Sequence, residues 1–574
     1  MTAEKIKHWQ DPYEPTPEGF HIRVENTLRS LQKKENAAVP RIPVRRAVVL
    51  AALLLTATGC ANWEEPSDPL GELSEFYGAE NETPEPEPLT TFTLPYFAGE
   101  SLDPVTTTET VQSSVGALLY EKLFELDEHY VLRPLLADSC TYDAEQRVYT
   151  LTLRSGVTFS DGSAMTARDV AATLERARQS QRYAARLAEV SSVRAQGDTV
   201  RITMSTDLAT LAWRLDIPIV KAGTESDTVP VGTGPYVFTA SDSGAYLEQD
   251  PSWWQQKALP LRRIELLHCK DRDTMLYAFS SREVQLLPLD LTGTGASGVS
   301  ASGDYADAPT SVMQFLGFNT RRAPFSDAAL RQAVSAAADR QALVDSCLLG
   351  HGSAAQFPLS PASEEYPTEL EAPYSIAALQ QLTQEEAGSS GDAANTGNTS
   401  SDNASAGMYA GVSVTLLVNE ENSFKVSAAQ EIAAALSRCG LTVTVDSVPW
   451  ETYLQRLQDG SFDLYYGECR LTADWDILEL VGTEGSLNYG GFSDEDTDVL
   501  LAACRTASEG QRSKALTALW QDLLEKMPIA PLCFKSDSVL TTTGLVEGLT
   551  ATETDPFFSL EQWTVHLDTP QAAK

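Results

Sequence analysis

The sequence has little histidine, no clustered cysteine and, beyond residue 59, a shortage of positive charge. Six histidines stand at 8, 21, 129, 268, 351 and 566, and no two share the spacing that lets a pair hold one metal ion. Eight cysteines are scattered singly without a CxxC pair, which removes zinc-ribbon and thioredoxin-like chemistry. HExxH, GxSxG and P-loop motifs are all absent, so nothing supports an enzyme, and neither a cofactor nor a metal is expected. "GTGASG" at 293–298 matches GxGxxG, but it runs into the polar, turn-rich "VSASGDYADAPTS" instead of opening a helix, which excludes a dinucleotide loop. Lys and Arg number 42 against 80 Asp and Glu, for a net charge of −38. Such a surface repels phosphate backbones, and nucleic acid is not an expected partner.

The 574 residues suffice for two or three domains, and 42% apolar with 21% charged residues is ordinary for a globular chain. The segment 1–59 differs in carrying nine Lys/Arg against six Asp/Glu. Arg41, Arg45 and Arg46 precede the apolar "AVVLAALLLTATGCA" of 47–61, too short for the roughly 20 residues of a spanning helix. Basic residues, a short apolar core and small residues before a cut describe a secretory signal. "ATGC" resembles a bacterial lipobox, which makes Cys60 the candidate lipidation site and the membrane a partner through that lipid. Residues 1–46 form an N-terminal extension in which Phe20, Val24, Leu28 and Leu31 share one helical face. It is either an over-long reading of the start or a cytosolic arm. The signal occupies 47–60, and the acidic, Pro-rich 61–91 reads as an extended tether.

From about residue 91 strands and helices alternate. Residues 148–153 predict a strand, Asp161–Gly162 a turn, and Thr166 with Asp169 the cap of a helix. "PFSDAALRQAVSAAADRQALVDSCLLGHG" predicts one helix capped by Ser326 or Asp327 and ended at Gly350. Strands at 412–418, 441–448 and 462–466, with helices at 426–438 and 451–458 between them, give the β-α-β-α-β signature of a mostly parallel sheet. Residues 383–407 are too polar and small to pack, and predict a disordered insertion.

Read in order, "LYEKLFE", "RPLLADS", "YTLTLRSGVTFSDGSAMTARDV", "VGTGPYVF", "GFNTRRAPFSDAALRQAVSAAADRQAL" and "EKMPIAPL" resemble the bacterial extracellular solute-binding proteins of family 5, the peptide- and nickel-binding receptors of ABC importers. The likeness runs from about Ser101 to the C-terminus. It implies an α/β, type II periplasmic-binding-protein-like fold of two lobes with a hinge and an extra subdomain on lobe one. Lobe one would be 92–316 plus 532–574, its subdomain about 126–226, and lobe two 317–531. The implied function is capture of an oligopeptide-like solute by a lipid-anchored monomer outside the cytoplasmic membrane, and delivery to ABC permease subunits. A membrane-anchored sensor, or a receptor for a metal chelate or oligosaccharide, are the alternatives.

One stretch sets charges against a core. "RLTADWDIL" (470–478) follows the strand at 462–466, and unpaired ions beside apolar packing cost several kcal/mol. Ligands of open α/β sheets sit beyond the carboxyl ends of strands, where this loop begins. In peptide-binding members an Ala-Asp-aromatic segment supplies the carboxylate for the peptide's α-ammonium, which the resemblance assigns to Asp474, beside Trp475. Those members often continue with an acidic residue and Pro, whereas here Asp476 is followed by Ile477 and Leu478. Asp476 is expected to cap a helix starting at Ile477. Arg470 either holds Asp474 or meets a ligand carboxylate. Asp474, Trp475, Arg470, Asn319 and Tyr489 form the candidate ligand-binding set.

Overall fold

The structure, a computed structural model, describes residues 88–241, 244–294, 303–384 and 407–568. The N-terminal extension, Cys60, most of the acidic tether and most of the polar insertion lie outside them.

Local signals act where they were read. Thr166 and Asp169 form a reciprocal capping box on the helix Ala167–Ala177, and Gly162 takes the left-handed conformation that its turn requires. The helix covers one face of a four-stranded antiparallel sheet in the order Ala137–Asp143, Val148–Leu153, Thr199–Met204, Val190–Gln196. Alternate residues Tyr149 and Leu151 of one strand and Val200 and Ile202 of the next point at Val170 and Leu174, giving this sheet its own core. A second four-stranded sheet, Thr93–Tyr96, Arg263–His268, Gly244–Gln249, Tyr236–Ser241, packs Leu94, Leu247 and Ile264 against Phe557 and Trp563 from the chain's end.

The largest sheet has seven strands. Six lie in the order Leu286–Leu289, Ile529–Thr541, Asp304–Phe318, Leu464–Arg470, Ser413–Asn419, Thr442–Val448, and Gly352–Ala354 also pairs with Ile529–Thr541. The expected β-α-β-α-β run is present, and its three strands are mutually parallel. The expectation of a mostly parallel sheet needs correction, because Asp304–Phe318 lies antiparallel to both of its neighbours. Asp304–Phe318 enters the part of the chain that holds the β-α-β-α-β run and Ile529–Thr541 leaves it, and the two run in opposite directions side by side. Their mutual register is broken between Pro309 and Met313. Leu464 and Tyr466 face one core, under the helix Ser423–Arg438. Tyr465 and Cys469 face the other, under Trp450–Gln458 and Glu509–Lys526.

The helix expected to run unbroken from Ser326 or Asp327 to Gly350 is two, Ala328–Ala336 and Arg340–Cys347. Asp327 caps the first and Asp339 the second. Arg340 pins the break: its guanidinium donates to the Ser335 carbonyl of the first helix at 2.9 Å and to the Ala355 and Pro531 carbonyls beyond it at 3.0 and 2.8 Å.

Across the pair Asp304–Phe318 and Leu464–Arg470, glycine faces aromatic twice: Gly317 opposite Tyr465, and Gly467 opposite Phe315. A Cβ on Gly317 would stand 2.0 Å from the Tyr465 ring. Gly317→Ala is therefore expected to destabilise the chain by about 1–3 kcal/mol through overpacking, measured by urea denaturation. Unchanged stability would mean that Tyr465 is not held in place.

Candidate functional site

The strand Leu464–Arg470 runs four residues past the expected end at 466, so its carboxyl end is Arg470 itself. The loop 470–476 leaves from that end and meets the short helical turn Leu211–Arg214 with Thr210 before it. Asp474 is buried, 3% exposed. Its Oδ2 accepts from Arg214 Nε at 2.7 Å and from the Thr210 hydroxyl at 2.6 Å. The other terminal nitrogens of Arg214 reach Asp476 at 2.8 Å and Glu189 at 3.4 Å. Arg505, on the helix Glu495–Thr506, closes the circuit, bonding Asp476 at 2.7 Å and Glu189 at 2.9 Å. Arg512 donates to the Asp474 carbonyl and to Glu365, and its guanidinium lies 4.9 Å over the Trp213 ring. Three guanidiniums thus serve four carboxylates, drawn from parts of the chain far apart in sequence.

These contacts set the charge states. Burial alone would raise the Asp474 carboxyl, but Arg214 and the Thr210 hydroxyl outweigh it and hold the group below the usual carboxylate range. Asp476 lies above that range, raised by burial and by the Asp474 charge against the pull of Arg214 and Arg505. The expectation that Asp476 caps a helix starting at Ile477 needs correction: the helix is Leu478–Val481 with Ile477 at its N-cap position, and Asp476, one residue earlier, is spent on Arg214 and Arg505 while its Oδ1 accepts from Leu478 N at 3.1 Å.

Trp475 is buried and takes a left-handed φ of 56°, which turns its ring against Tyr130 at 4.8 Å and Phe534 at 6.1 Å. Arg470 keeps a half-exposed side chain and pairs not with Asp474 but with Glu553, whose oxygens also accept from the Ser311 amide and hydroxyl. Tyr489 lines a cavity of about 20 Å³, room for one water, with Trp450, Tyr453, Tyr465, Lys425 and Glu468. Asn319 does not join this group. It follows Phe318, which pairs with Leu464 at the opposite end of the strand from Arg470, about 20 Å away at 3.3 Å per residue. Its amide is spent on the carbonyls of Gly460 and Phe462.

A second ionic group stands beside the two long strands, on Gln314 of one and Lys535 of the other. Glu468 bonds Lys425 at 2.9 Å and Gln314 at 2.7 Å, and Lys535 bonds Asp290 at 2.6 Å. Burial opposes ionisation of Glu468, yet Lys425 and Lys535 prevail and bring its carboxyl down to about 2. Asp537, pushed up to about 6 by burial and by Asp290, faces Arg470 and Lys535 from the same strand region.

Sequence reasoning missed Arg214, Arg505, Arg512, Glu189 and Thr210. One signal was available: Arg214 stands inside "LATLAWRLDIPIV", an arginine in an apolar run, which is the rule that drew attention to Asp474. Among the described residues no three His, Cys, Asp or Glu side chains converge on a possible metal position, and no helix is long and apolar enough to cross a membrane.

A family model described as bacterial extracellular solute-binding proteins, family 5 Middle, matches residues 131–475. The glutathione-binding protein GsiB of Salmonella typhi is 24% identical over 463 residues, covering 75% of this chain and 86% of that protein. Among solved structures, a nickel ABC transporter protein from Bacillus halodurans aligns with a TM-score of 0.66 at 20% identity, over 81% of this chain and 98% of its own. The oligopeptide-binding protein AppA of Bacillus subtilis, in complex with a nonapeptide, aligns with a TM-score of 0.53 at 19% identity, over 84% and 100%.

Proposed function

From a chain that belongs to the bacterial extracellular solute-binding proteins of family 5, we propose the receptor of an ABC importer: a lipoprotein that captures an oligopeptide-like solute between its lobes and presents it to the permease. The observation that supports the reading is the pair of long antiparallel strands, Asp304–Phe318 and Ile529–Thr541, which in this reading connect the two lobes. Lobe boundaries at 316/317 and 531/532 fall inside them, and the register break between Pro309 and Met313 is the natural place for a hinge. Closure around a solute needs no covalent step. The solute lowers the free energy of the closed form by touching both walls.

Of the candidate contacts, Arg470 and Tyr489 suit a solute best. Arg470 offers a half-exposed guanidinium beside the crossing strands, able to receive a carboxylate in exchange for Glu553. Tyr489 belongs to an aromatic wall with Trp450. Trp475 packs against Tyr130 and Phe534 and Asn319 is spent on the Gly460 and Phe462 carbonyls, so neither is proposed as a solute contact. The names of relatives, glutathione-binding and oligopeptide-binding, favour a peptide-like solute over an oligosaccharide. Mass spectrometry of solute released from the full-length protein tests this. A recovered peptide supports the reading, and a released metal chelate or sugar replaces it.

Anchoring is a separate claim. Cys60→Ala should leave an unprocessed precursor of higher mass that takes up no labelled lipid. Unchanged mass and membrane attachment would favour the sensor reading, in which residues 1–45 remain as a cytosolic arm.

A further inference from the structure

We infer that Arg214 is the resident counter-ion of Asp474: one lobe supplies from its own chain the cation that the other lobe's loop requires, so a solute's cationic group is not received there. The inference rests on the solute-capture reading and narrows it. Asp474 lies at the carboxyl end of a sheet strand, on the side facing the other lobe, and an unoccupied carboxylate there would suit an ammonium. The carboxylate is occupied. Arg214 is 4% exposed, and its three nitrogens engage Asp474, Asp476 and Glu189. Thr210, four residues before it, takes the same oxygen of Asp474, and the Ala209 amide donates to the Arg505 carbonyl at 2.7 Å. The seating is therefore made by a whole turn of chain, with backbone as well as side chains.

A free ammonium would have to displace a guanidinium held by three carboxylates. It would also strand Asp476 and Glu189, which share only Arg505 besides. Desolvated charges without partners are costly. Arg214 and Thr210 both take Oδ2, and although Oδ1 accepts no hydrogen bond among the described residues, the Asp474 side chain has no exposed surface through which a solute could reach it. The solute is thereby selected for groups other than an α-ammonium at this point: a peptide with a blocked or displaced amine, or one read through its carboxylate by Arg470.

The test deletes the resident cation and offers a replacement. Arg214→Ala leaves a space lined by Asp474, Asp476, Glu189 and Thr210, matched by ethylguanidinium. Ethylguanidinium chloride, against potassium chloride at equal ionic strength, should restore at least half of the melting temperature lost in Arg214→Ala, saturably. The wild type should show no saturable rise, nor should Arg214→Ala/Asp474→Asn. If Arg214→Ala does not fold, Arg214→Lys, which keeps one charge but cannot bridge, is titrated in its place with the same expectations. A saturable rise in the wild type, or retained rescue in the double variant, overturns the inference. So does wild-type binding of trialanine at least tenfold tighter than of N-acetyl-trialanine, with the preference lost in Asp474→Asn. None of these outcomes depends on the natural solute, so the absence of any co-purified solute would count against the receptor reading alone.

Discussion

Asp474→Ala is expected to lower the free energy of unfolding by about 3–5 kcal/mol, because it leaves Arg214 buried with its nearest carboxylate removed. Cavity formation contributes little, since a carboxylate is small. The cost comes from the guanidinium's Nε and the neighbouring Thr210 hydroxyl, which both lose their acceptor in a buried site, while Asp476 and Glu189 still hold the other two nitrogens. Urea denaturation of the full chain measures it. Asp474→Ala combined with Arg214→Met should recover little of the loss, because it leaves Asp476 and Glu189 with Arg505 alone. A single variant within about 1 kcal/mol of wild type would mean that the pair forms only part of the time. The pH dependence has a definite sign. Asp474 is held below its usual range, so its contribution is full above the unfolded value, about 3.9, and is lost as the pH falls below it.

Glu468→Gln should cost a comparable amount, about 3–5 kcal/mol, for a different reason. Glu468 is the carboxylate of Lys425, and it also accepts from Gln314, whose Oε1 in turn receives the Tyr466 hydroxyl at 2.7 Å. A neutral amide leaves Lys425 buried as a cation without a counter-charge, while Lys535 keeps Asp290. With the carboxyl at about 2 in the folded chain against roughly 4.3 unfolded, stability from this group is present above pH 4.3 and drains away between there and about 2. The wild type should therefore lose stability across that window and Glu468→Gln should lose less. Equal acid profiles would show that Glu468 stays solvated.

The contrast between these sites and the rest of the molecule marks what a sequence displays. The capping box of Thr166 and Asp169 and the strand Val148–Leu153 were legible because their partners lie within a few residues or share one period. The strand Leu464–Arg470 was read too short because Gly467, Glu468 and Arg470 look like loop residues. Their extension is dictated by Phe315, Gln314 and Val312 on the neighbouring strand. The helix break near Ala337 was invisible in an alanine-rich run, since what stabilises it is Arg340 reaching carbonyls at 355 and 531. The candidate site follows the same rule. That 470–476 carries charges needing partners was readable from composition. That the partner of Asp474 is Arg214 required all the intervening chain to fold first.

The seven-stranded sheet also fixes when this chain can fold. Leu286–Leu289 joins that sheet only through Ile529–Thr541, and Gly352–Ala354 likewise pairs with Ile529–Thr541. Both wait for a strand made near the end of synthesis, and Asp304–Phe318 lacks one of its two neighbours until then. A growing or translocating chain must keep these apolar segments unpaired until residue 541 has emerged. The seven-stranded sheet is therefore closed by its last strand, whereas the four-stranded sheet around Tyr149 and Val200, with a core of its own, has all its strands by residue 204.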